Sequence, residues 1–168
     1  MTAESKEFVT SRVFDAPREL VWKAWTEADR LMEWFGPKGV TIPVCRMDLR
    51  PGGTCHYAMR MPNGQEMWGK WRFLEVVAPE KLVLVSCFSD EAGGITRHPM
   101  SASWPMETLS TTTFEEKDGK TTLTIRWSPH NATDAERETF NASHEGMKMG
   151  WSGTMEQLTA YLAKAQGK

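Results

Sequence analysis

Cysteine is scarce in this chain of 168 residues, and the three present, Cys45, Cys55 and Cys87, form no closely spaced pair. An odd number without a close pair argues against a disulfide framework and favours a reducing compartment. Long apolar runs are missing too: the longest aliphatic run, Leu82 to Val85, is far too short to span a membrane. The N-terminal segment is polar and lacks the apolar core of a secretion signal. We therefore expect a cytoplasmic location.

A marked excess of either charge is also missing. The chain carries 20 basic and 22 acidic side chains, a formal net charge of −2 with neutral histidines. Nucleic-acid binding needs a basic surface that neutralises phosphates, so this balance gives no case for a DNA or RNA partner. Repeats, low-complexity segments and long linkers are absent from the sequence. We expect one domain that spans residues 1–168.

The sequence lacks the spacings of common catalytic and metal sites. Its histidines and cysteines show none of the closely paired ligands that zinc sites use. No Gly-x-Ser-x-Gly turn occurs, and the segment Gly146–Gly150 lies in a predicted helix rather than after a strand, which argues against a phosphate loop. We expect no cofactor and no metal, and binding rather than catalysis.

Trp and Met are abundant, with eight and eleven copies. These side chains fill cores, but they also line adaptable apolar pockets. Alternating polarity and turn residues predict strands in most of the chain. The predicted strands cover residues 6–14, 40–50, 54–61, 66–77, 81–89, 107–116 and 121–128, with an irregular stretch over 90–105.

Helical signals flank these strands. Asp15 and Pro17 predict the start of a first helix, capped by Asp15, and a second short helix covers residues 28–34. The capping box Thr133–Glu136 predicts one long helix that runs to about Lys164. Its apolar face repeats at helical spacing: Phe140, His144, Met147, Trp151, Met155, Leu158 and Leu162. Helices separated from an antiparallel meander indicate an α+β fold, with a curved sheet around the final helix.

Several motifs in order resemble a known family. They are Arg12–Thr26 (RVFDAPRELVWKAWT), Trp34–Pro37 (WFGP), Asp48–Gly53 (DLRPGG), Pro79–Leu82 (PEKL), and Gly150-Trp151 followed by Leu158 and Leu162. The chain is similar to proteins related to the C-terminal domain of the activator of heat-shock protein 90 ATPase. These proteins belong to the START-like, helix-grip (SRPBCC) superfamily, and the resemblance covers essentially the whole chain.

The resemblance implies a helix-grip fold: a curved antiparallel sheet around a long C-terminal helix, two short helices after the first strand, and a deep apolar pocket between sheet and helix. The superfamily includes lipid carriers, hormone receptors, polyketide cyclases and co-chaperone domains, so the fold alone does not select a function. The co-chaperone carries a separate N-terminal domain that holds the chaperone. This sequence starts directly at the matching motifs, which argues against a chaperone partner.

The expected function is binding of a small lipophilic or amphipathic ligand in that pocket. His144 is either the polar group that orients the ligand or a hydrogen-bonded core histidine. Two alternatives stay open: a co-chaperone-like or stress-related interaction module, and a cyclase or dehydratase with His144 as the candidate acid or base. The candidate pocket residues are Tyr57, Met59, Trp71, Phe88 and Trp127 on strands, and Phe140, His144, Met147 and Trp151 on the helix.

Two further segments carry expectations. Gly146, Gly150 and Gly153 form a stripe of small residues away from the apolar face. The helix either tolerates them or bends there near the pocket, or the stripe lets a second copy approach closely in a homodimer. The stretch 90–105, with His98, Met100 and Trp104, is either a lid over the pocket mouth or an irregular loop with its Trp packed on the core.

Overall fold

Residues 6–36, 38–98 and 101–167 are described by a computed structural model. Over these ranges the chain forms one eight-stranded antiparallel sheet and four helices. The α+β, helix-grip architecture expected from the sequence is confirmed. The elements are β1 (Phe8–Phe14), α1 (Arg18–Thr26), α2 (Ala28–Leu31), β2 (Thr41–Met47), β3 (Thr54–Arg60), β4 (Glu66–Val77), β5 (Lys81–Ser89), β6 (Ile95–Thr96), β7 (Thr108–Lys117), β8 (Lys120–Pro129), α3 (Asp134–Ala142) and α4 (His144–Ala165).

The sheet is a meander whose first strand joins the far edge. Its order is β1-β8-β7-β5-β4-β3-β2, with the short β6 paired to the end of β5. The β7–β8 turn uses Asp118 and Gly119, both with positive φ (55° and 77°), as the tight turns of hairpins require. A register shift between Phe73 and Glu75 interrupts the β4–β5 pairing. Such irregularities bend a strand and increase its twist, which helps the sheet curve around α4.

The start of α1 differs from the sequence prediction. Pro17, rather than Asp15, is the N-cap, and no side chain of the cap residue bonds the first turn. Instead, the backbone N–H of Arg18 donates to Glu116 Oε1 at 2.9 Å, so a carboxylate from β7 takes the place of the expected local cap. The second helix is also shorter than expected and ends at Leu31.

The prediction of one unbroken C-terminal helix is wrong. The capping box at Thr133 and Glu136 is confirmed, but α3 ends at Ala142 and α4 begins at His144. Between them Ser143 leaves helical geometry (φ −104°, ψ 8°), and its hydroxyl donates to the Thr139 carbonyl at 2.6 Å. A serine hydroxyl that bonds the preceding turn distorts a helix, which accounts for the interruption at this residue.

The core lies between the concave face of the sheet and the helices. From β1 and β8 come Phe8, Phe14, Leu123 and Ile125, all almost fully buried. On the helical side, α4 buries Met147, Trp151, Met155, Leu158 and Leu162, and α1 buries Val21, Trp22, Ala24 and Trp25. The C-terminal half of α4, with Leu158 and Leu162, packs on this core. The N-terminal half, with Met147, Gly150 and Trp151, faces the strands across a cavity.

Candidate ligand cavity

A cavity of about 330 Å³ lies between the sheet and the first half of α4. That volume is at the lower end of the range for small-molecule sites. Six of the eight Trp residues contribute to its wall. The lining residues are Trp25, Phe35, Gly36, Tyr57, Met59, Met67, Trp68, Gly69, Trp71, Leu84, Ser86, Cys87, Phe88, His98, Trp104, Pro105, Thr108, Ser110, Trp127, Met147, Gly150, Trp151 and Thr154.

Three indole rings build a layered aromatic wall. Trp25 lies between Trp71 and Trp151, with ring centroids 6.3 and 6.0 Å away and interplanar angles of 25° and 27°. Trp127 meets Trp151 edge to face at 5.3 Å, and Phe35 meets Trp71 edge to face at 5.4 Å. These offset and edge-on arrangements are the favourable geometries of aromatic pairs, so the wall is rigid as well as apolar.

Tyr57 brings a hydroxyl to this wall, and Gly69 makes room for it. The two residues are partners across β3 and β4, and a Cβ at Gly69 would lie 2.4 Å from Tyr57 Oη. Only glycine permits that approach. Burial raises the pKa of Tyr57, and the indole N–H of Trp71 offsets only part of the rise. Tyr57 is therefore a neutral phenol at neutral pH.

Two of the buried polar groups here differ in how they are satisfied. Trp127 Nε1 donates to Ser110 Oγ at 3.1 Å, so this indole is paired within the wall. Trp25 Nε1 is buried and has no hydrogen-bond partner among the described residues. A buried donor without an acceptor loses its hydrogen bond to water and gains none in the protein, at a cost of about 1–3 kcal/mol. Because the atom is itself buried, it lies behind the surface that the cavity presents.

The cavity wall carries no formal charge. Among the described residues that line it there is no Asp, Glu, Lys or Arg. Its one titratable imidazole, His98, packs against the Phe88 ring at 4.7 Å, and burial lowers the pKa of His98. The imidazole is therefore neutral at pH 7. Within the described ranges, no three His, Cys, Asp or Glu side chains lie close enough together to hold a metal ion.

A match to a protein-family model identifies the family of this chain. A family model described as Activator of Hsp90 ATPase homolog 1-like protein matches residues 15–163. The chain belongs to this family. Among curated proteins, none matches it. The family and the fold support a ligand-binding or co-chaperone-like domain in general.

Solved structures of similar proteins share the whole fold. A Nitrosomonas europaea protein is 27% identical, with 96% of this chain and 97% of that chain covered and a TM-score of 0.75. A Rhodobacter sphaeroides protein is 21% identical, with 98% and 97% covered and a TM-score of 0.76. The AHSA1 protein from Silicibacter pomeroyi is 18% identical, with 95% and 99% covered and a TM-score of 0.70. The last two likenesses extend the fold assignment only.

In this member of the Activator of Hsp90 ATPase homolog 1-like family, seven of the nine predicted pocket residues line the cavity. They are Tyr57, Met59, Trp71, Phe88, Trp127, Met147 and Trp151. Phe140 and His144 do not line it. Phe140 is fully buried and packs against Trp104, and His144 Nε2 donates to the Lys6 carbonyl at 2.9 Å while its ring packs on Phe8. Phe140 lies on α3, before the break at Ser143, and His144 begins α4, ahead of its first lining residue, Met147.

Several lining residues were not predicted. Trp25 and Phe35 reach the cavity because α1 and the turn after α2 fold over the end of the sheet, a docking that periodicity does not encode. Gly69 had a signal, since an isolated glycine inside a strand marks a close approach. Gly150, placed by the sequence away from the apolar face, lines the cavity. The homodimer suggested by its stripe stays a prediction.

The stretch 90–105 is anchored at several points. Arg97 pairs with the buried carboxylate of Glu136 on α3, and Ser103 Oγ lies 2.7 Å from Thr139 Oγ1. Trp104 lies against Phe140 and also lines the cavity. Both sequence interpretations thus keep support, because the loop is pinned to the core and forms part of the cavity wall. Met100 lies outside the described residues.

No helix over the described residues is long and apolar enough to cross a membrane.

Proposed function

We propose that this protein reversibly binds a small lipophilic or amphipathic molecule in the cavity between the sheet and α4. The observation that carries the proposal is that the abundant Trp residues leave an unfilled space beside the core. Six of the eight line a cavity of about 330 Å³. Tight interiors leave few voids larger than a water molecule, so a cavity of this size lined by aromatic and Met side chains favours a ligand.

Apolar burial is the driving force that this wall supports. A ligand that buries about 300 Å² of apolar surface gains on the order of 7 kcal/mol, at ~25 cal/mol per Å². The cost of association and of ordering side chains is subtracted from that gain. The preformed aromatic layers reduce the ordering cost, because the rings already pack against one another.

Binding is better supported than catalysis. A cyclase or dehydratase needs an acid or base in contact with its substrate. His144, the candidate from the sequence, bonds the Lys6 carbonyl outside the cavity wall, and the described wall has no carboxylate or amine. The imidazole of the described wall is that of His98, which packs against the Phe88 ring. The family description alone favours a co-chaperone-like interaction module, which remains the second outcome of the experiment below.

Native mass spectrometry of the purified protein, followed by a thermal-shift screen with fatty acids, sterols, flavonoids and polyketide-like aromatics, tests the proposal. A co-purifying mass, or a Tm that rises with ligand concentration, is the expected result. An apo mass without stabilisation by any compound would contradict the proposal and favour an interaction module with chaperone or other protein partners.

Two helical glycines provide a matched pair of variants. A Cβ at Gly150 or at Gly146 would meet no other atom within 4 Å, but only Gly150 lines the cavity. Gly150→Leu should weaken ligand binding at least tenfold by placing an isobutyl group at the cavity wall. Gly146→Leu should leave binding unchanged, and both variants should gain helix stability. Equal effects of the two variants on binding would place the ligand elsewhere.

A further inference from the structure

We propose that the ligand of this cavity is an uncharged, planar aromatic molecule that carries a hydrogen-bond acceptor oxygen. The inference rests on the proposed function and narrows it to one chemical class. Three separate features of the wall support it: its lack of charge, the orientation of its rings, and the phenol hydroxyl that Tyr57 brings to it.

The charge argument excludes ions. An ion that enters an apolar cavity loses its hydration, which costs several kcal/mol unless a counter-ion or several hydrogen bonds replace it. Among the described lining residues there is no carboxylate, ammonium or guanidinium group to act as the counter-ion. His98 does not supply one at neutral pH, because burial lowers its pKa. A fatty-acid carboxylate or an amine would therefore bind more weakly than a neutral molecule of the same shape.

The ring geometry favours a flat ligand. Trp71, Trp25 and Trp151 lie within 27° of parallel in successive pairs. Around them, Phe35, Tyr57 and Trp127 present edges or tilted faces. An aromatic ligand can continue these offset-stacked and edge-to-face contacts, which are favourable beyond simple burial. A flexible acyl chain makes none of them and loses more conformational freedom on binding.

One polar donor of the wall favours an acceptor on the ligand. Tyr57 lines the cavity and is 7% exposed. The Trp71 N–H faces the Tyr57 oxygen and lowers the pKa of Tyr57, which leaves the phenol proton to be donated. The Trp25 indole N–H also lacks a partner among the described residues, but that atom is itself buried and a ligand in the cavity would not reach it. A carbonyl or ether oxygen on the ligand would accept the Tyr57 proton.

Four naphthalenes of nearly identical shape test the class. The probes are 2-acetylnaphthalene (neutral, with an acceptor), 2-isopropenylnaphthalene (neutral, without one), 2-naphthoate (an anion) and 2-naphthamidinium (a cation), and Kd is measured by titration calorimetry at pH 7. We expect 2-acetylnaphthalene to bind at least tenfold more tightly than either ion. Equal or tighter binding of 2-naphthoate or 2-naphthamidinium would overturn the inference.

A hydroxyl deletion tests the acceptor. Tyr57→Phe should weaken binding of 2-acetylnaphthalene about three- to tenfold and leave 2-isopropenylnaphthalene unchanged. The other tyrosine of the chain provides the control, because Tyr161 accepts from Arg30 away from this cavity. Tyr161→Phe should therefore change neither Kd. Equal effects of Tyr57→Phe on the two neutral probes would overturn the inference that the ligand carries a hydrogen-bond acceptor. The comparison of the four probes on the wild-type protein does not depend on the folding of any variant.

The inference and the proposed function fail in different ways. If none of the naphthalenes binds while oleate or a sterol does, and Gly150→Leu abolishes that binding, the cavity is a ligand site but the proposed class is wrong. If no compound of any class binds, both are wrong. Binding of 2-acetylnaphthalene that is unchanged in Gly150→Leu would also overturn both, because the probe would then occupy another surface.

Discussion

Gly69 and Gly146 differ in what surrounds them, although both lack a side chain. A Cβ at Gly69 would lie 2.4 Å from both Cζ and Oη of Tyr57, whereas a Cβ at Gly146 would meet no other atom within 4 Å. The first glycine is thus required by a close approach in a buried strand. The second only weakens a helix, by about 1 kcal/mol relative to alanine.

Opposite stability changes follow for the two alanine variants. Gly69→Ala should lower the free energy of unfolding by about 1–3 kcal/mol, because the Tyr57 ring must move within a packed wall. Gly146→Ala should raise it by up to about 1 kcal/mol. Urea unfolding followed by Trp fluorescence measures both.

A double variant identifies the cause. In a Tyr57→Leu background the clash is gone, so Gly69→Ala should cost less there than in the wild type. An unchanged cost in that background would mean that Gly69 matters through its backbone and not through Tyr57.

At the scale of the elements, α3 is held to the 90–105 stretch by one buried carboxylate. Glu136 is 5% exposed, accepts from the Thr133 N–H, and pairs with Arg97. Arg97 in turn donates to the carbonyls of Ala102 and Trp104. Burial by itself disfavours the charged form of Glu136. The hydrogen bonds that Glu136 accepts from Thr133 and Arg97 outweigh this effect and hold the pKa of Glu136 below its usual value.

Glu136→Gln should therefore destabilise the protein in a pH-dependent way. Because the folded pKa lies below the unfolded one, the carboxylate adds stability above the unfolded pKa. That contribution is lost as the pH falls through the folded pKa. The variant should lose about 1–3 kcal/mol at pH 7, and its deficit against the wild type should shrink below about pH 4.5.

Urea unfolding between pH 7 and pH 4 measures that deficit, and limited proteolysis should cut the 90–105 stretch faster in Glu136→Gln. Glu138→Gln is the matched control, because Glu138 lies exposed on the same helix. A deficit that stays constant with pH would show that the Glu136 charge contributes nothing.

The bounds of the helices and strands show which parts of the fold can be predicted from the sequence alone. The bounds of β4 and β5 were predicted correctly, because Pro62-Asn63-Gly64 and Ala78-Pro79-Glu80 mark the turns before them. The break at Ser143 was missed, because the apolar repeat continues through it and the cause is one side-chain hydrogen bond. The same limit applies to the site: residues with a clear strand or helix face were found, while Trp25 and Phe35 depend on how α1 and α2 dock.

At the scale of the whole molecule, residues of α1, α4 and five strands form the cavity wall. A reactive side chain on one of these strands can therefore report on ligand binding to the wall as a whole. Cys87 on β5 lies in the wall, whereas Cys45 on β2 does not. Both thiols are partly exposed, and Cys55, whose Sγ lies 3.7 Å from that of Cys45, is fully buried. Cys87 is thus a reporter on a strand of the cavity wall, where it pairs with Lys70 of β4 and its Sγ donates to the Lys70 carbonyl at 3.6 Å, and Cys45 is its internal control.

The two reporters should react at different rates with N-ethylmaleimide. The hydrogen bond from Cys55 lowers the pKa of Cys45, so its thiolate forms more readily. Burial raises the pKa of Cys87, and Glu107 adds to the rise, so Cys87 should react more slowly. Saturating 2-acetylnaphthalene should slow the alkylation of Cys87 at least fivefold and leave that of Cys45 unchanged, as followed by peptide mass spectrometry at about pH 8. If the ligand slowed both thiols equally, it would be stabilising the whole fold. Protection of Cys87 alone would place the ligand against β5, the strand that carries this residue in the cavity wall.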